Sequence, residues 1–563
     1  PATGGRPIAT ATVPINAAAS TLTVATATLP NLPGIDLWSP EHPALYRVDT
    51  ALSNAGGRLD QTSVRTGFRE ASFEVDGFYL NGRRYFLFGL NRHQLYPYGG
   101  MSMPERVQRR DAQLLRQVLN CNMVRCSHYP QSPAFLDACD ELGLLVWEEV
   151  PGWGYIGDTA WKDLWFGNVT AMVVRDRNRP SVVIWGAQPN ETFPAVADAT
   201  TAKQLAKASD PDRPTGGTQT RWNYPSYVQD VYAYDDYGST PNPDGTATVH
   251  LQPPTPGKPY LVTESVGALL PPHFFERKSD QSSQQQQAIL HAEAHSLVQD
   301  PSQAYAGILC WAGFDYASLS GYQDQHIKTP GVVDGFRNPK PGALMYGAQV
   351  DPAQRVVIEP SFAWDFGPTS PVTTLGADAL IWSNCDQLQV SVGSAAQVTL
   401  QPQTSRFPHL AHAPFALDVS GVDGSQQPDL RIDGYAGGRL VGTRRCSGSN
   451  HGDHLQVQAD DDTIQGDGTD GTRIAIQSVD RFGAPRPYVE GDATVTVEGP
   501  GTLTGLVASL ESTVSPALID PGQTATLTVT LRNGGIPLAA TGGSGAVWVR
   551  AVPGAAGPIT VRV

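Results

Sequence analysis

Met123-Val-Arg-Cys126, then Ser132-Pro-Ala-Phe-Leu-Asp-Ala-Cys-Asp-Glu-Leu-Gly143, then Leu144-Leu-Val-Trp147 read in succession as strand, helix and strand. Short apolar runs rich in β-branched residues and bounded by turn signals suit buried strands. Ser132 before Pro133 places an N-cap ahead of proline at the first helical position, and Gly143 ends the helix. Two strands joined through a helix run parallel, because a tight hairpin would be needed to reverse them.

The same alternation extends from residue 76 to about residue 350. Upstream lies Tyr85-Phe-Leu-Phe-Gly-Leu90; downstream come Val182-Val-Ile-Trp185, Pro214-Thr-Gly-Gly217, Asp230-Val-Tyr-Ala-Tyr234, Tyr260-Leu-Val-Thr263 and Gly307-Ile-Leu-Cys-Trp311. Helices are predicted over Pro104–Asn120, with Val107, Leu114, Leu115, Val118 and Leu119 on the apolar face, and over Gln284–Val298, whose glutamine run reads as a solvated face. Eight strands in a segment of this size suit a closed (β/α)8 TIM barrel. The glycine-rich fifth strand has the weakest signal of the eight.

The flanks have a different texture. Residues 1–75 hold Leu22-Thr-Val24 and Tyr46-Arg-Val-Asp-Thr-Ala-Leu52, with a turn at Asn54-Ala-Gly-Gly57, and read as a partial immunoglobulin-like β-sandwich. Residues 351–455 (Leu380-Ile-Trp-Ser383, Gln389-Val-Ser-Val392) and 456–563 (Ala493–Val497, Thr526–Leu531) read as two further sandwiches. The predicted fold is thus multidomain, α/β plus all-β, a barrel flanked by immunoglobulin-like sandwiches.

Composition agrees. A chain of 563 residues exceeds one core, and its 57 Gly and 46 Pro suit turn-rich strands. A hydrophobic content of 40 % excludes disorder, and no 18-residue apolar run could cross a membrane. The net charge of −15 argues against nucleic acid and anionic lipid as partners. The six cysteines include no Cys-x-x-Cys and no histidine at zinc spacing, so buried free thiols are expected, with a Cys385–Cys446 pair left open. The chain is expected to be a secreted or periplasmic bacterial protein, with the cytoplasm as alternative and homo-oligomerisation open.

Active sites of such barrels lie at the carboxyl ends of the strands. The residues there include Asn91-Arg92-His93, Arg125 to Tyr129, Glu148-Glu149, Asn190-Glu191, Asp235-Asp236-Tyr237, Glu264 and Trp311. Two carboxylates flanking a sugar can cleave a glycosidic bond, one protonating the leaving oxygen and the other attacking or activating water. Glu191 after strand four and Glu264 after strand seven lie across the barrel from each other and form the chosen pair. Glu148 and Glu149 are rivals, of which adjacent positions let only one point inward. Indoles stack on sugar C–H faces; Trp153, Trp161 and Trp165, placed in the loop after strand three, are candidates, whereas Trp147 and Trp185 read as core.

Gly89-Leu-Asn-Arg-His93, Val124-Arg-Cys-Ser-His-Tyr-Pro130 and Arg175-Asp-Arg-Asn-Arg-Pro-Ser-Val-Val-Ile-Trp185 followed by Asn190-Glu191 resemble, in order and spacing, the barrel signatures of glycoside hydrolase family 2. The resemblance implies a retaining mechanism with Glu191 as acid/base and Glu264 as nucleophile. It further implies that Asn190 bonds the sugar 2-hydroxyl, that His93 and His128 line the glycone pocket, that Tyr237 bonds the nucleophile and that Trp311 forms the floor. Arg125 and Trp153 complete the expected substrate site. Retention would place the two carboxyls about 5–5.5 Å apart. The family's leading jelly-roll domain has no counterpart in the chain. Glu148-Glu149-Val-Pro-Gly-Trp153 lacks the family's Glu-x-His metal motif, so neither metal nor cofactor is expected. Lys328-Thr329-Pro330 stands where glucuronidases carry Asn-x-Lys, which counts against a uronic acid while leaving Lys328 able to reach an anion. A β-galactosidase-type activity is the first expectation; β-galactofuranosidase, α-L-arabinofuranosidase, β-glucuronidase and β-mannosidase activities remain alternatives. A non-catalytic carbohydrate-binding barrel is the reading from a different class, and the intact glutamate pair argues against it.

Overall fold

The computed structural model describes residues 7–18, 20–29, 32–97, 99–242, 246–267, 275, 279–318, 327–488, 493–498, 501–504, 527–531, 544–551 and 560–562. Its centre is a closed barrel of eight parallel strands in chain order: Leu87–Arg92, Met123–Cys126, Leu145–Glu149, Val182–Gly186, Thr215–Gln219, Val231–Asp236, Tyr260–Ser265 and Tyr305–Cys310. Closure comes from strand eight pairing with strand one, Gly307 opposite Leu87 and Cys310 opposite Leu90.

Strand five exists despite its weak signal, and the packing explains its sequence. The Trp147 ring fills the barrel interior, where a Cβ on Gly216 would lie 2.2 Å from its Cη2 and one on Gly186 2.5 Å from its Nε1. Glycine there makes room for an indole, at the expense of the β-branched pattern that advertises a strand. Leu87, Met123, Leu145, Val231 and Leu261 share the interior with Trp147, and Trp38, Phe78 and Leu80 join the same cluster. The segment preceding strand one therefore plugs the amino-terminal end, leaving the opposite end for chemistry.

The helices depart from expectation in four places. The first is α-helical only over Glu105–Gln113 and continues as a π-turn over Leu114–Val118, with the Leu119 N–H reaching the Leu114 carbonyl at 2.9 Å. Helices Thr159–Asp176, Val196–Ser209 and Pro341–Ala348 lack a sharp apolar stripe and escape a periodicity search. Trp161 and Trp165 consequently sit on a helix rather than in a loop; Trp165 is buried and donates its Nε1–H to the Ala187 carbonyl at 2.9 Å. Lastly, the glutamine run is not solvated. The helix begins at Gln281, and Gln284, Gln285, Gln286 and Gln287 are all buried, because each amide satisfies polar groups of neighbouring segments that water would otherwise have to reach.

The amino-terminal segment is a smaller object than a sandwich. Tyr46–Asn54 pairs with Gly57–Thr66 in a two-stranded hairpin, while Leu22 and Val24 lie in no strand and are 95 % and 84 % exposed. Alternation alone cannot make a strand where no partner edge is supplied. Beyond the barrel, a three-stranded sheet (Ile358–Pro360, Ala379–Ser383, Phe415–Leu417) is followed by a four-stranded one (Val398–Leu400, Gln387–Val392, Leu430–Ala436, Arg439–Cys446). A further four-stranded and a three-stranded sheet complete the described chain between His454 and Arg562. That last unit docks on the barrel: Trp548 packs with Phe336, Tyr96 and Val107, and Arg106 grips Asp470 with two bonds of 2.7 Å. All six cysteines are free and buried, so Cys385 and Cys446 do not pair.

Candidate active site

The carboxyl ends of the strands open into a cavity of about 740 Å³. Beneath it, fully buried at the end of strand two, lies Arg125. Its guanidinium pairs in fork geometry with Glu149 (2.9 and 3.0 Å) and also donates to Glu264 Oε1 (2.5 Å), Asn91 Oδ1 (3.0 Å) and Asn190 Oδ1 (2.7 Å). A planar donor set of this kind fixes several acceptors at once, which an ammonium could not do. Burial pushes the Glu149 carboxyl up, but Arg125 and His128 outweigh it and hold the group below its usual value. Glu149 thus serves as counter-ion to Arg125. Its neighbour Glu148 faces the other side of the strand, toward Arg175 (3.2 Å) and the Gln131 N–H (3.0 Å).

Glu264 and Glu191 both line the cavity but in contrasting surroundings. Each Glu264 oxygen accepts a bond, Oε1 from Arg125 and Oε2 from the Tyr237 hydroxyl at 2.7 Å, so the plane of the carboxyl is set. Glu191 receives one bond, from the Trp153 indole N–H to Oε2 at 2.6 Å. Burial raises its pKa, the negative charge of Glu264 adds to the rise, and the Trp153 bond opposes it. Glu191 has φ +51°, a left-handed conformation uncommon outside glycine and concentrated at functional sites. Backbone bonds from Asn190 to Gly152 (3.0 Å) and from Gly154 to Asn190 (2.9 Å) strap the Trp153 loop to this turn.

A third carboxyl lies close by. Asp235 stands opposite Glu264 in the sheet register, is buried, and takes a 3.1 Å bond from the Thr263 hydroxyl. Burial and then the charge of Glu264 push its carboxyl well above its usual value. The opposite wall is aromatic. Trp311 lies parallel to the His128 ring (5.4 Å, 9°) and edge-on to His93 (5.3 Å, 87°), and donates to the Tyr316 hydroxyl at 3.2 Å. Burial, aided by His128, lowers the His93 pKa well below its usual value, which keeps that ring neutral. An apolar face with polar groups around it suits a sugar ring.

Residues 73–354 match the family model described as glycosyl hydrolases family 2, TIM barrel domain, and residues 6–69 match the model described as glycosyl hydrolases family 2. The chain belongs to glycoside hydrolase family 2. Among relatives, a β-galactosidase of Thermoanaerobacterium thermosulfurigenes is 35 % identical over 492 residues, covering 84 % of this chain and 67 % of the relative. A β-galactosidase of Thermoanaerobacter pseudethanolicus is 35 % identical over 83 % of this chain and 62 % of its own length. The chain therefore spans about two thirds of the curated relatives it matches. A solved β-glycosidase from Bacteroides vulgatus superposes with a TM-score of 0.70 at 18 % identity, over 95 % of this chain and 70 % of that one, a likeness of fold.

For this glycoside hydrolase, the cavity gathers Glu191, Glu264, Asn190, His93, His128, Tyr237, Trp311 and Trp153 along its lining, with Arg125 underneath. Trp161 and Trp165 are not among the lining residues. Tyr316 and the wall Ser239-Thr240-Pro241 are lining groups that sequence reasoning missed. Both lie past the barrel strands, in or beside two-residue paired segments too short to show periodicity, so no pattern marks them. Among the described residues no group of three or more His, Cys, Asp or Glu is placed to hold a metal ion, and no helix is long and apolar enough to cross a membrane.

Proposed function

We propose that this family 2 chain is a retaining, exo-acting glycosidase of the β-galactosidase type. The observation that carries the reading is the asymmetry of the two facing glutamates: one held by two donors, the other half-desolvated with a raised pKa. Glu264 attacks the anomeric carbon while Glu191 protonates the departing oxygen; Glu191 then deprotonates the water that hydrolyses the glycosyl-enzyme. Loss of the leaving group removes the proton from Glu191, and consumption of the Glu264 charge in the covalent bond lowers the Glu191 pKa, which readies it for the base step. Asn190, held by Arg125, is available to the sugar 2-hydroxyl, and Trp311 to its apolar face. The two β-galactosidase relatives favour a β-galactoside. Lys328 in the cavity wall supports β-glucuronide as the second reading, since an ammonium there can meet a carboxylate.

The test is a panel of nitrophenyl glycosides with NMR of the first-formed sugar. Turnover of β-galactoside with initial release of the β-anomer is expected. Preference for β-glucuronide would overturn the glycone, initial α-anomer the mechanism, and no turnover of any glycoside the enzymatic reading.

Trp153 gives a pH prediction with a definite sign. Its N–H bonds the Glu191 carboxylate and so favours the charged form. In Trp153→Phe that support is gone, the Glu191 pKa climbs further, and the alkaline limb of kcat/KM moves to higher pH by about one unit, as expected for one lost charge-assisted bond. An alkaline limb that stays put, or moves to lower pH, would contradict the assignment of Glu191 as the acid.

A further inference from the structure

The buried glutamines of helix Gln281–Val298 divide their grip between two places. Gln285 holds the three-stranded sheet that follows the barrel: Nε2 donates to the Asp378 carbonyl at 2.7 Å, and Oε1 accepts from the Leu380 N–H at 2.8 Å and the Ser361 hydroxyl at 3.0 Å. Gln286 reaches the barrel mouth instead. Its Nε2 donates to the carbonyls of Asn242, at 2.7 Å, and of Thr246. Those carbonyls belong to the chain leaving Thr240–Pro241 and entering Ala247–Thr248, two short paired segments after strand six. Ser239, Thr240 and Pro241 line the cavity. Gln287, 1 % exposed, donates to the carbonyls of Pro330 (2.9 Å) and Gly331 (3.1 Å), just beyond the cavity-lining Lys328.

We infer that Gln286 and Gln287 are positioning residues of the glycoside pocket, each fixing one wall from behind through a pair of main-chain carbonyls without touching substrate. The inference rests on the proposed function of that cavity. The wall segments extend past the barrel strands, so the barrel ladder does not hold them. A primary carboxamide has two N–H donors and suits two carbonyls at once. Neither a hydroxyl, with one donor, nor an aliphatic side chain, with none, could do the same. Because Gln285 has the same chemistry on the same helix but serves another domain, it separates pocket positioning from plain stability.

The test compares Gln286→Met, Gln287→Met and Gln285→Met in the full chain on the nitrophenyl glycoside that the wild type hydrolyses best. Methionine keeps the volume and removes the amide's donors together with its acceptor oxygen. The Gln286 and Gln287 variants should raise KM about tenfold with kcat within about twofold, the mark of lost binding-site geometry. Gln285→Met should lower the thermal transition and leave both constants unchanged. Gln286→Asn, whose shorter reach breaks the clamp while keeping an amide, should repeat the KM rise and serves if the methionine variants fold poorly. A folded Gln286 variant with wild-type KM, or an equal KM rise in Gln285→Met, would overturn the inference. A readout independent of turnover is a crystal structure of a Gln286 variant: the Thr240–Pro241 wall should shift by about 1 Å, a displacement large enough to matter kinetically. An unmoved wall refutes the positioning role even if the glycosidase reading itself fails.

Discussion

Glu264→Ala should lower kcat by about 10⁴-fold or more, the scale seen when a covalent nucleophile is removed. The protein should remain folded. Arg125 loses one of its acceptors but keeps the two-bond pair with Glu149, so no buried charge is stranded. The vacated volume sits at the cavity and is open to a small anion. Azide should therefore restore turnover of a nitrophenyl β-glycoside, entering from the face the carboxylate occupied and yielding a glycosyl azide of inverted, α, configuration. Formation of that product, followed by NMR, ties the residue to the bond being formed. Normal activity in the variant would dismiss Glu264 as nucleophile, and a rescued product of β configuration would place the attack elsewhere.

Arg125→Leu is expected to damage both stability and activity. It removes the guanidinium that pairs through two bonds with Glu149, a buried carboxylate then left with the His128 ring and the Trp147 N–H. Breaking one partner of a buried pair costs about 3–5 kcal/mol, because the other charge is left uncompensated. The same change frees Glu264 Oε1 and Asn190 Oδ1, so the proposed nucleophile and the amide proposed to face the sugar lose their alignment, and kcat/KM should fall about 10³-fold. The double variant Arg125→Leu/Glu149→Leu separates the two effects. It should recover part of the stability, since the Glu149 charge is gone while Glu264 stays buried without its guanidinium, and none of the activity, since Glu264 and Asn190 still lack their donor. Denaturant unfolding and steady-state kinetics on the four proteins of this cycle give the comparison. Recovery of activity together with stability would reduce Arg125 to a scaffold residue.

The barrel was legible because its evidence is local. Met123–Cys126, the helix after Ser132 and the strand at Leu145–Glu149 each show in a few consecutive residues, Glu264 lies at the end of the strand Tyr260–Ser265, and Asn190-Glu191 come shortly after the strand Val182–Gly186. Other features were illegible for physical reasons. Gly216 in strand five records the size of Trp147, a residue distant in sequence. The helix bearing Trp161 and Trp165 has no clean apolar stripe, because Leu164 and Val174 are apolar yet exposed while Trp165, Val169, Met172 and Val173 are buried. Leu22 and Val24 alternate like a strand, yet a strand needs an edge to pair with.

The glutamine run marks the boundary most clearly. By composition it is polar, and polarity by itself predicts water. Burial depends on whether partners arrive, and the carbonyls of Asn242, Thr246, Pro330 and Gly331 are brought to the helix only by the closed barrel. The same holds for Arg125, whose five acceptors come from four different strands or their ends. Sequence alone determined the barrel, the family and the two facing glutamates, since strand periodicity and strand-end position are properties of neighbouring residues. Tertiary structure decided which carboxylate is a counter-ion, which is half-desolvated, and what holds the pocket walls, because charge pairing and desolvation are set by groups far apart in the chain.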